Sequence, residues 1–290
     1  MNSKIKTFGI IGGDKRQLFL AQSLVRDGYN TALCGFDSLG SSGLKTCCGM
    51  LTALSLSDAV ILPLPCVRAD KSLNAPFSPD KLFFSDDELD IMCEKPVFAA
   101  MSDKLLRAYP RLKNARVYDY AARDDFAVLN AVPTAEGAVQ LAMESYEGTI
   151  SGSRTLVTGF GRIGKLLARM LKSLGSCVTV CARKPSDLAY AEALGYVPRR
   201  FSKLDSALGF DIIFNTVPKL IFDDKLLKSA DPDALIIDLA SLPGGVDFES
   251  AARLGRDARR ALSLPGRCAP KTAGEIIKKT VFSIIEEVER

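Results

Sequence analysis

Short apolar runs alternate along this chain with longer stretches whose apolar positions recur at helical spacing. That alternation predicts an α/β protein with mainly parallel strands. The first run, Thr7–Ile11, stops at Gly12-Gly13-Asp14, and a helical stretch follows over 17–27. Residues 31–34 and 59–62 read as the next strands. Pro63, Pro65, Pro76 and Pro79 then mark an irregular region, because proline has no N–H to give to a sheet or a helix. Residues 97–100, 101–109 and 116–118 read as strand, helix and strand, and this first unit closes near Asp125.

Residues 134–144 read as a helix opened by Thr134, with Glu136 and Gly137 close behind as a capping signature. Ser151-Gly152-Ser153 breaks the chain before a more regular unit. There, strand 155–158 leads into helix 161–174, strand 177–181 into helix 185–194, and two further buried strands cover Ile212–Asn215 and 234–238. The last stretch, 272–289, is amphipathic, with Ile276, Ile277, Phe282, Ile285 and Val288 on or near one face. The expected layout is a substrate-binding domain over 1–125, a linking helix within 126–150 and a second domain over 151–271.

Composition mainly removes alternatives. The 290 residues are 47% hydrophobic and 25% charged, which suits a globular chain with room for two domains. A net charge of +4 is too small and too scattered to argue for nucleic acid. Histidine is absent, which removes the commonest general base, His-ligated zinc and every His-activated nucleophile. None of the eight cysteines, Cys47 and Cys48 included, forms a C-x-x-C pair, so they read as reduced packing residues and no metal site is expected. The N-terminus has no long apolar core, and no run reaches spanning length, so the expectation is a cytoplasmic protein with no membrane contact.

The strongest motif follows strand 155–158. Gly159-Phe-Gly161-Arg162-Ile163-Gly164 is a G-x-G-x-x-G turn between a strand and a helix, as dinucleotide binding requires. Gly159 allows the tight turn, Gly161 allows close approach of a diphosphate, and Gly164 allows helix and strand to pack closely. The amides of Arg162, Ile163 and Gly164 would face the phosphates at the helix start. An NAD site usually ends the next strand with a carboxylate for the ribose hydroxyl. Here that strand continues into Ala182-Arg183-Lys184, with Arg183 nineteen residues beyond Gly164. Arg183 and Lys184 can hold a 2′-phosphate, so the reading is a preference for NADP(H) with NAD tolerated. The Gly12-Gly13-Asp14 loop lacks a third glycine, and Asp14 would repel a diphosphate, so it reads as a strand-end loop without a second cofactor. The fold class expected is α/β, with two Rossmann-like doubly wound domains of mainly parallel sheet and a cleft between them.

Ligands gather at the carboxyl ends of strands in such sheets. The polar residues there are Asp14, Arg16, Gln17, Arg123, Asp124, Asp125, Thr134, Glu136, Asn215, Thr216, Asp238, Ser241, Lys271 and Thr272, with Pro218 among them. The segments that carry them are Gly12-Gly13-Asp14-x-Arg16-Gln17, Arg123-Asp124-Asp125, Pro133-Thr134-x-Glu136-Gly137, the Gly159–Gly164 turn, Asn215-Thr216-x-Pro218, Asp238-Leu-Ala-Ser241-x-Pro243-Gly244-Gly245 and Ala269-Pro270-Lys271-Thr272-Ala273-Gly274. Taken together they resemble the A-subunit family of dipicolinate synthases, enzymes of spore-forming bacteria, with the two-domain D-2-hydroxyacid and alanine dehydrogenases as broader relatives. Leu242 and Arg267 depart from the family pattern, which more often has a basic and a small apolar residue there.

The resemblance implies oxidation of dihydrodipicolinate, or its hydrated precursor, to dipicolinate, with hydride passing to NAD(P). It also implies a flavoprotein-like B-subunit of dipicolinate synthase as partner, a mother-cell location during sporulation, and a final helix, 272–290, that packs back on the first domain. A small dicarboxylate substrate calls for cations and helix N-termini. Arg16, Lys271 and the amides at Thr134 and Thr272 are assigned to its carboxylates, with Ser241 beside them. Lys271, Asp125 and Glu136 are the candidates for proton transfer. Asn215, Thr216, Pro218 and Asp238 join the glycine turn on the cofactor side. A standalone imino-acid or 2-hydroxyacid oxidoreductase, and a nucleotide-binding regulatory subunit, remain open alternatives, as does the oligomeric state, a homo-oligomer included.

Overall fold

The structure, a computed structural model, describes residues 5–39 and 49–289. Cys47 and Cys48 lie outside the described residues. The chain forms two compact units, one of residues up to Leu129 together with Pro270 onward, the other Asn130–Ala269.

The first unit is built from β1 (Thr7–Ile11), α1 (Lys15–Arg26), β2 (Asn30–Cys34), α2 (Met50–Leu56), β3 (Ala59–Ile61), α3 (Asp86–Cys93), β4 (Val97–Ala99), α4 (Ser102–Ala108) and β5 (Val117–Asp119). Its five strands are parallel, in the order β2-β1-β3-β4-β5, with Ile10 of β1 paired to Leu33 on one side and Ile61 on the other. Strands buried on both faces must be apolar at every position. Phe8, Ile10, Leu33, Ile61 and Phe98 accordingly pack on one face against Leu20 and Leu24 of α1 and against Ile277 and Val281, whereas Ile11, Val60, Leu62 and Val97 pack on the other against α2 and α3.

The second unit contains β6 (Arg154–Thr158), α6 (Arg162–Ser173), β7 (Cys177–Ala182), α7 (Pro185–Ala193), β8 (Val197–Arg200), β9 (Ile212–Asn215), α8 (Asp224–Lys228), β10 (Leu235–Asp238), α9 (Phe248–Arg253), β11 (Ala258–Arg260) and α10 (Leu264–Cys268). Its six parallel strands run β11-β10-β9-β6-β7-β8. Val157, Val180, Ala182, Phe214 and Ile237 face α6 and α7, and Leu156, Cys181, Ile213 and Ile236 face α8 and α9. Both units are thus doubly wound. The strand order reverses between β1 and β3 in the first and between β6 and β9 in the second, and such a reversal opens a crevice for ligands.

Two helices depart from the sequence expectation. α5 (Asp124–Ser145) starts ten residues before Thr134 and runs through Pro133. The proline looks like a helix start because its missing N–H costs nothing there. Inside α5 it leaves one carbonyl of the previous turn without its usual donor, and the buried ring is accommodated. Acidic Asp124 and Asp125 supply the actual first turn. α11 (Pro270–Val288) begins two residues before Thr272 and belongs to the first unit. The proline-rich stretch after β3 reads as irregular in the sequence and is followed by α3, opened by a capping box between Ser85 and Glu88.

Candidate functional site

In the second unit, the turn after β6 is closed on itself and open to a ligand. Gly159 has φ of +93°, and its N–H donates to Cys181 O at 2.8 Å, tying the turn to β7. Only glycine adopts that φ without strain. A Cβ on Gly159 would collide with Thr216 Oγ1, and one on Gly164 with the Gly159 carbonyl oxygen. Gly161 differs: a Cβ there would meet nothing within 4 Å. Packing therefore does not explain its bareness. Gly161 is also the N-cap of α6 and offers no side chain, and the amide of Lys165 donates to Gly161 O at 3.0 Å as the first bond of the helix. The amides of Ile163 and Gly164, one and two positions inside the helix start, have no acceptor within the helix. Open space, helix-start amides and the positive end of a twelve-residue helix fit a dinucleotide diphosphate.

The neighbouring loops are held from below. Asp238 is fully buried and accepts from Asn215 Nδ2 at 2.8 Å, Ala240 N at 3.2 Å and Gly245 N at 2.9 Å. Asn215, also fully buried, takes a hydrogen bond from Thr158 Oγ1 at 2.7 Å and donates to Val217 O at 3.0 Å. Thr216 donates its hydroxyl to Thr158 O at 2.9 Å. The side-chain polar atoms of Asn215 and Asp238, expected on the cofactor side, are thus engaged inside the protein, where they shape the loops after β9 and β10. Pro218 and Ser241 stand exposed on those two loops, and Arg162, Arg183 and Lys184 are exposed beside the glycine turn.

In the first unit, the matching corner is capped from within. Asp14 is the N-cap of α1 and forms a capping box with Gln17. Its carboxylate accepts from Arg16 N at 2.9 Å and pairs with the Arg16 side chain through Nε at 2.9 Å and Nη2 at 2.8 Å. Nη2 also donates to Leu64 O at 2.6 Å, so Arg16, only 5% exposed, spans the β1–β3 reversal. Nη1 makes no hydrogen bond among the described residues, and the fully buried Gln17 Nε2 has no partner. Tyr120, after β5, lies fully buried and donates its hydroxyl to Leu62 O at 3.0 Å, and burial raises its phenol pKa. Burial pushes the Cys66 thiol up to about 11, so it is not a thiolate nucleophile at neutral pH. Neither the Leu64 carbonyl nor Tyr120 carried a sequence signal, beyond the position of Tyr120 just past a strand.

The first turn of α11 joins this corner. A Cβ on Gly274 would meet Arg16 O at 2.6 Å and Leu20 N at 2.9 Å, so α11 and α1 touch backbone to backbone. Lys271 and Thr272, exposed in that turn, therefore stand at the same end of the unit as Arg16. Asp125 does not. It pairs with Arg123 at 3.0 Å, and Arg123 binds Glu287 at 2.6 Å near the far end of α11. Lys271 and Glu287 are sixteen residues apart on one helix, roughly 24 Å at about 1.5 Å per residue. Arg123 also holds the Asp125 carboxyl below the usual carboxylate range, which makes it a poorer base. Asp125 is thus corrected to a structural ion pair.

Thr134 is corrected as well. It lies inside α5, its hydroxyl donates to Asn130 O at 2.7 Å, and its amide is not at a helix start. Glu136 is exposed on α5 beside Gly137, where α5 meets Leu264 and Cys268 of α10.

Residues 7–121 match the dipicolinate synthase A-subunit N-terminal domain family, and residues 130–241 match the NAD binding domain of D-isomer specific 2-hydroxyacid dehydrogenases. The chain is 34% identical over 284 residues to the dipicolinate synthase A-subunit of Bacillus subtilis, covering 97% of this chain and 96% of that protein. A solved structure of the dipicolinate synthase A-subunit from Bacillus halodurans superposes with a TM-score of 0.85 at 31% identity, covering 96% of this chain and 97% of that one. A transhydrogenase from Sinorhizobium meliloti, at 16% identity and a TM-score of 0.66 over 97% of this chain and 92% of its own, shares the fold. Two doubly wound units with an NAD-binding domain of the dehydrogenase type define the class. Within it, this chain belongs to the family of dipicolinate synthase A-subunits.

Proposed function

We propose that this protein is an oxidoreductase that converts dihydrodipicolinate, or its hydrated precursor, to dipicolinate with NADP as preferred hydride acceptor. The observation that carries the reading is the bare Gly161 corner of α6, which offers helix-start amides and no side chain to a diphosphate. The nicotinamide, when bound, supplies the acceptor for a hydride. The protein's share is to bind and orient, because aromatising a dihydropyridine ring gains ring stabilisation and needs no strong base.

Arg16, fixed by Asp14 and Leu64 O with Nη1 left over, takes one substrate carboxylate, and Lys271 with the amide of Thr272 takes the other. The balance of the reaction is a hydride to the nicotinamide and a proton to a base, with one water also released when the hydrated precursor is the substrate. With Asp125 committed to Arg123, Lys271 and Glu136 are the proposed candidates for that proton. Arg183 and Lys184 select the 2′-phosphate. Membership of an A-subunit family supports a flavoprotein-like B-subunit as partner, and a role in the mother cell of a sporulating bacterium follows the same resemblance. Among the described residues, no helix is long and apolar enough to cross a membrane.

The test is an absorbance assay for dipicolinate with purified protein, NADP, and dihydrodipicolinate generated in place, with and without the B-subunit. The reading requires dipicolinate and NADPH to appear in equal amounts. Dipicolinate formation at the rate of the protein-free control, with no NADPH, would refute it.

A further inference from the structure

We infer that Arg200 is the third cation, with Arg183 and Lys184, of a bay that selects the cofactor's 2′-phosphate. The inference rests on the NADP reading above and deepens it. Three observations carry it. The first is register: β8 pairs with β7 so that Arg200 lies directly beside Ala182, the residue that Arg183 and Lys184 follow. Adjacent strands are about 4.8 Å apart, so three cations share one end of the β7–β8 pair.

The second is the direction of the side chains. Side chains alternate across a strand. Arg199, paired with Cys181, turns to the α8–α9 face: it lies 5.6 Å over the Phe210 ring and donates to Ser206 O at 3.4 Å. Arg200, paired with Ala182, therefore starts from the opposite face. That is the face of α6, where Ala182 packs and where the glycine turn lies. Of two consecutive arginines, one is consumed by packing and the other is delivered toward the cofactor side.

The third is the lack of any partner. Arg183, Lys184 and Arg200 are exposed, and none has an ion pair or a side-chain hydrogen bond among the described residues. Elsewhere in the same unit, Arg154, Arg253 and Arg259 each meet a carboxylate. The acids nearest in sequence are Asp187, in the first turn of α7, for Arg183 and Lys184, and Asp205 for Arg200; neither carboxylate pairs with any of the three. An unneutralised trio beside a dinucleotide turn suits a phosphate dianion, which NADP carries there and NAD does not.

The experiment titrates NADPH and NADH, with 2′,5′-ADP and 5′-ADP as fragments, into the whole protein and its variants, following nucleotide fluorescence and heat. Arg200→Ala is expected to weaken NADPH and 2′,5′-ADP binding about 5- to 20-fold and leave NADH and 5′-ADP within twofold. Arg200→Lys is expected to recover most of the loss, and Arg183→Ala to give a loss of similar selectivity. Equal weakening of both dinucleotides by Arg200→Ala would assign it a structural role and overturn the inference. No change with Arg200→Ala alongside a selective loss with Arg183→Ala would overturn it too, but spare the NADP reading. A wild-type protein that binds NADH at least as tightly as NADPH would overturn both.

Discussion

The two units present the same corner, a strand ending in glycines and opening into a helix at a reversal of strand order, and they finish it in opposite ways. After β1, Asp14 caps α1, satisfies its amide donors and neutralises Arg16. After β6, Gly161 caps α6 with no side chain, and space surrounds it. A carboxylate in the first corner and its absence in the second decide which helix N-terminus is available to an anion. The first corner instead offers one partly engaged guanidinium. Shared topology thus gives two crevices, and a single N-cap residue sets the chemistry of each.

The sharpest way to break this contrast is to move the cap. Gly161→Asp would copy the Asp14 arrangement, and its backbone, with φ of −83°, accepts a side chain. A carboxylate near a diphosphate costs about 4 kcal/mol for one charge pair about 4 Å apart at an effective dielectric of about 20. Dinucleotide affinity should fall at least about 100-fold in a fluorescence titration, while stability rises by a few tenths of a kcal/mol. Affinity within threefold of wild type would show that the α6 amides do not hold the diphosphate.

Lys271→Met tests the other crevice. Loss of one charge-assisted contact to a substrate carboxylate should lower kcat/KM about 10- to 100-fold, with the dinucleotide Kd unchanged. Unaltered turnover would remove Lys271 from the substrate site. Asp14→Ala should leave dinucleotide binding intact and destabilise the first unit by about 2–3 kcal/mol in urea unfolding. It removes the α1 cap and leaves the largely buried Arg16 without its counter-ion. Asp14→Asn keeps the cap and should recover about 1 kcal/mol of that loss.

The glycine turn was legible because its function resides in backbone, and backbone freedom leaves a spacing of glycines in the sequence. The buried strands were legible because a strand covered on both faces cannot hide its apolar run. What misled was shared vocabulary. Pro133-Thr134 spells a helix start, yet the same residues sit inside α5, where tertiary packing outweighs the missing hydrogen bond. Asn215 and Asp238 end their strands as ligand contacts do, and only burial reveals that their partners are each other. Asp125 sits in a polar cluster next to the site in sequence, but the helix it opens carries it to the far end of α11. Arg200 went unread because pairing between β7 and β8 joins residues eighteen positions apart.

The smallest expected effect tests that last kind of distinction, a polar group that belongs to the scaffold. Asp125→Asn should leave turnover within twofold of wild type. At neutral pH it should cost under about 1 kcal/mol, because the pair with Arg123 is partly exposed and screened. The sign with pH follows from the direction of the shift. Asp125 is held below its unfolded pKa, so its contribution is present above the ordinary carboxylate range and fades as pH drops through the folded value. Wild type and variant should therefore differ in urea midpoint at neutral pH and converge in acid. A gap that persists undiminished at low pH would mean that the carboxylate's charge is not what Arg123 requires. A large loss of turnover would return Asp125 to the site from which the geometry of α11 removes it.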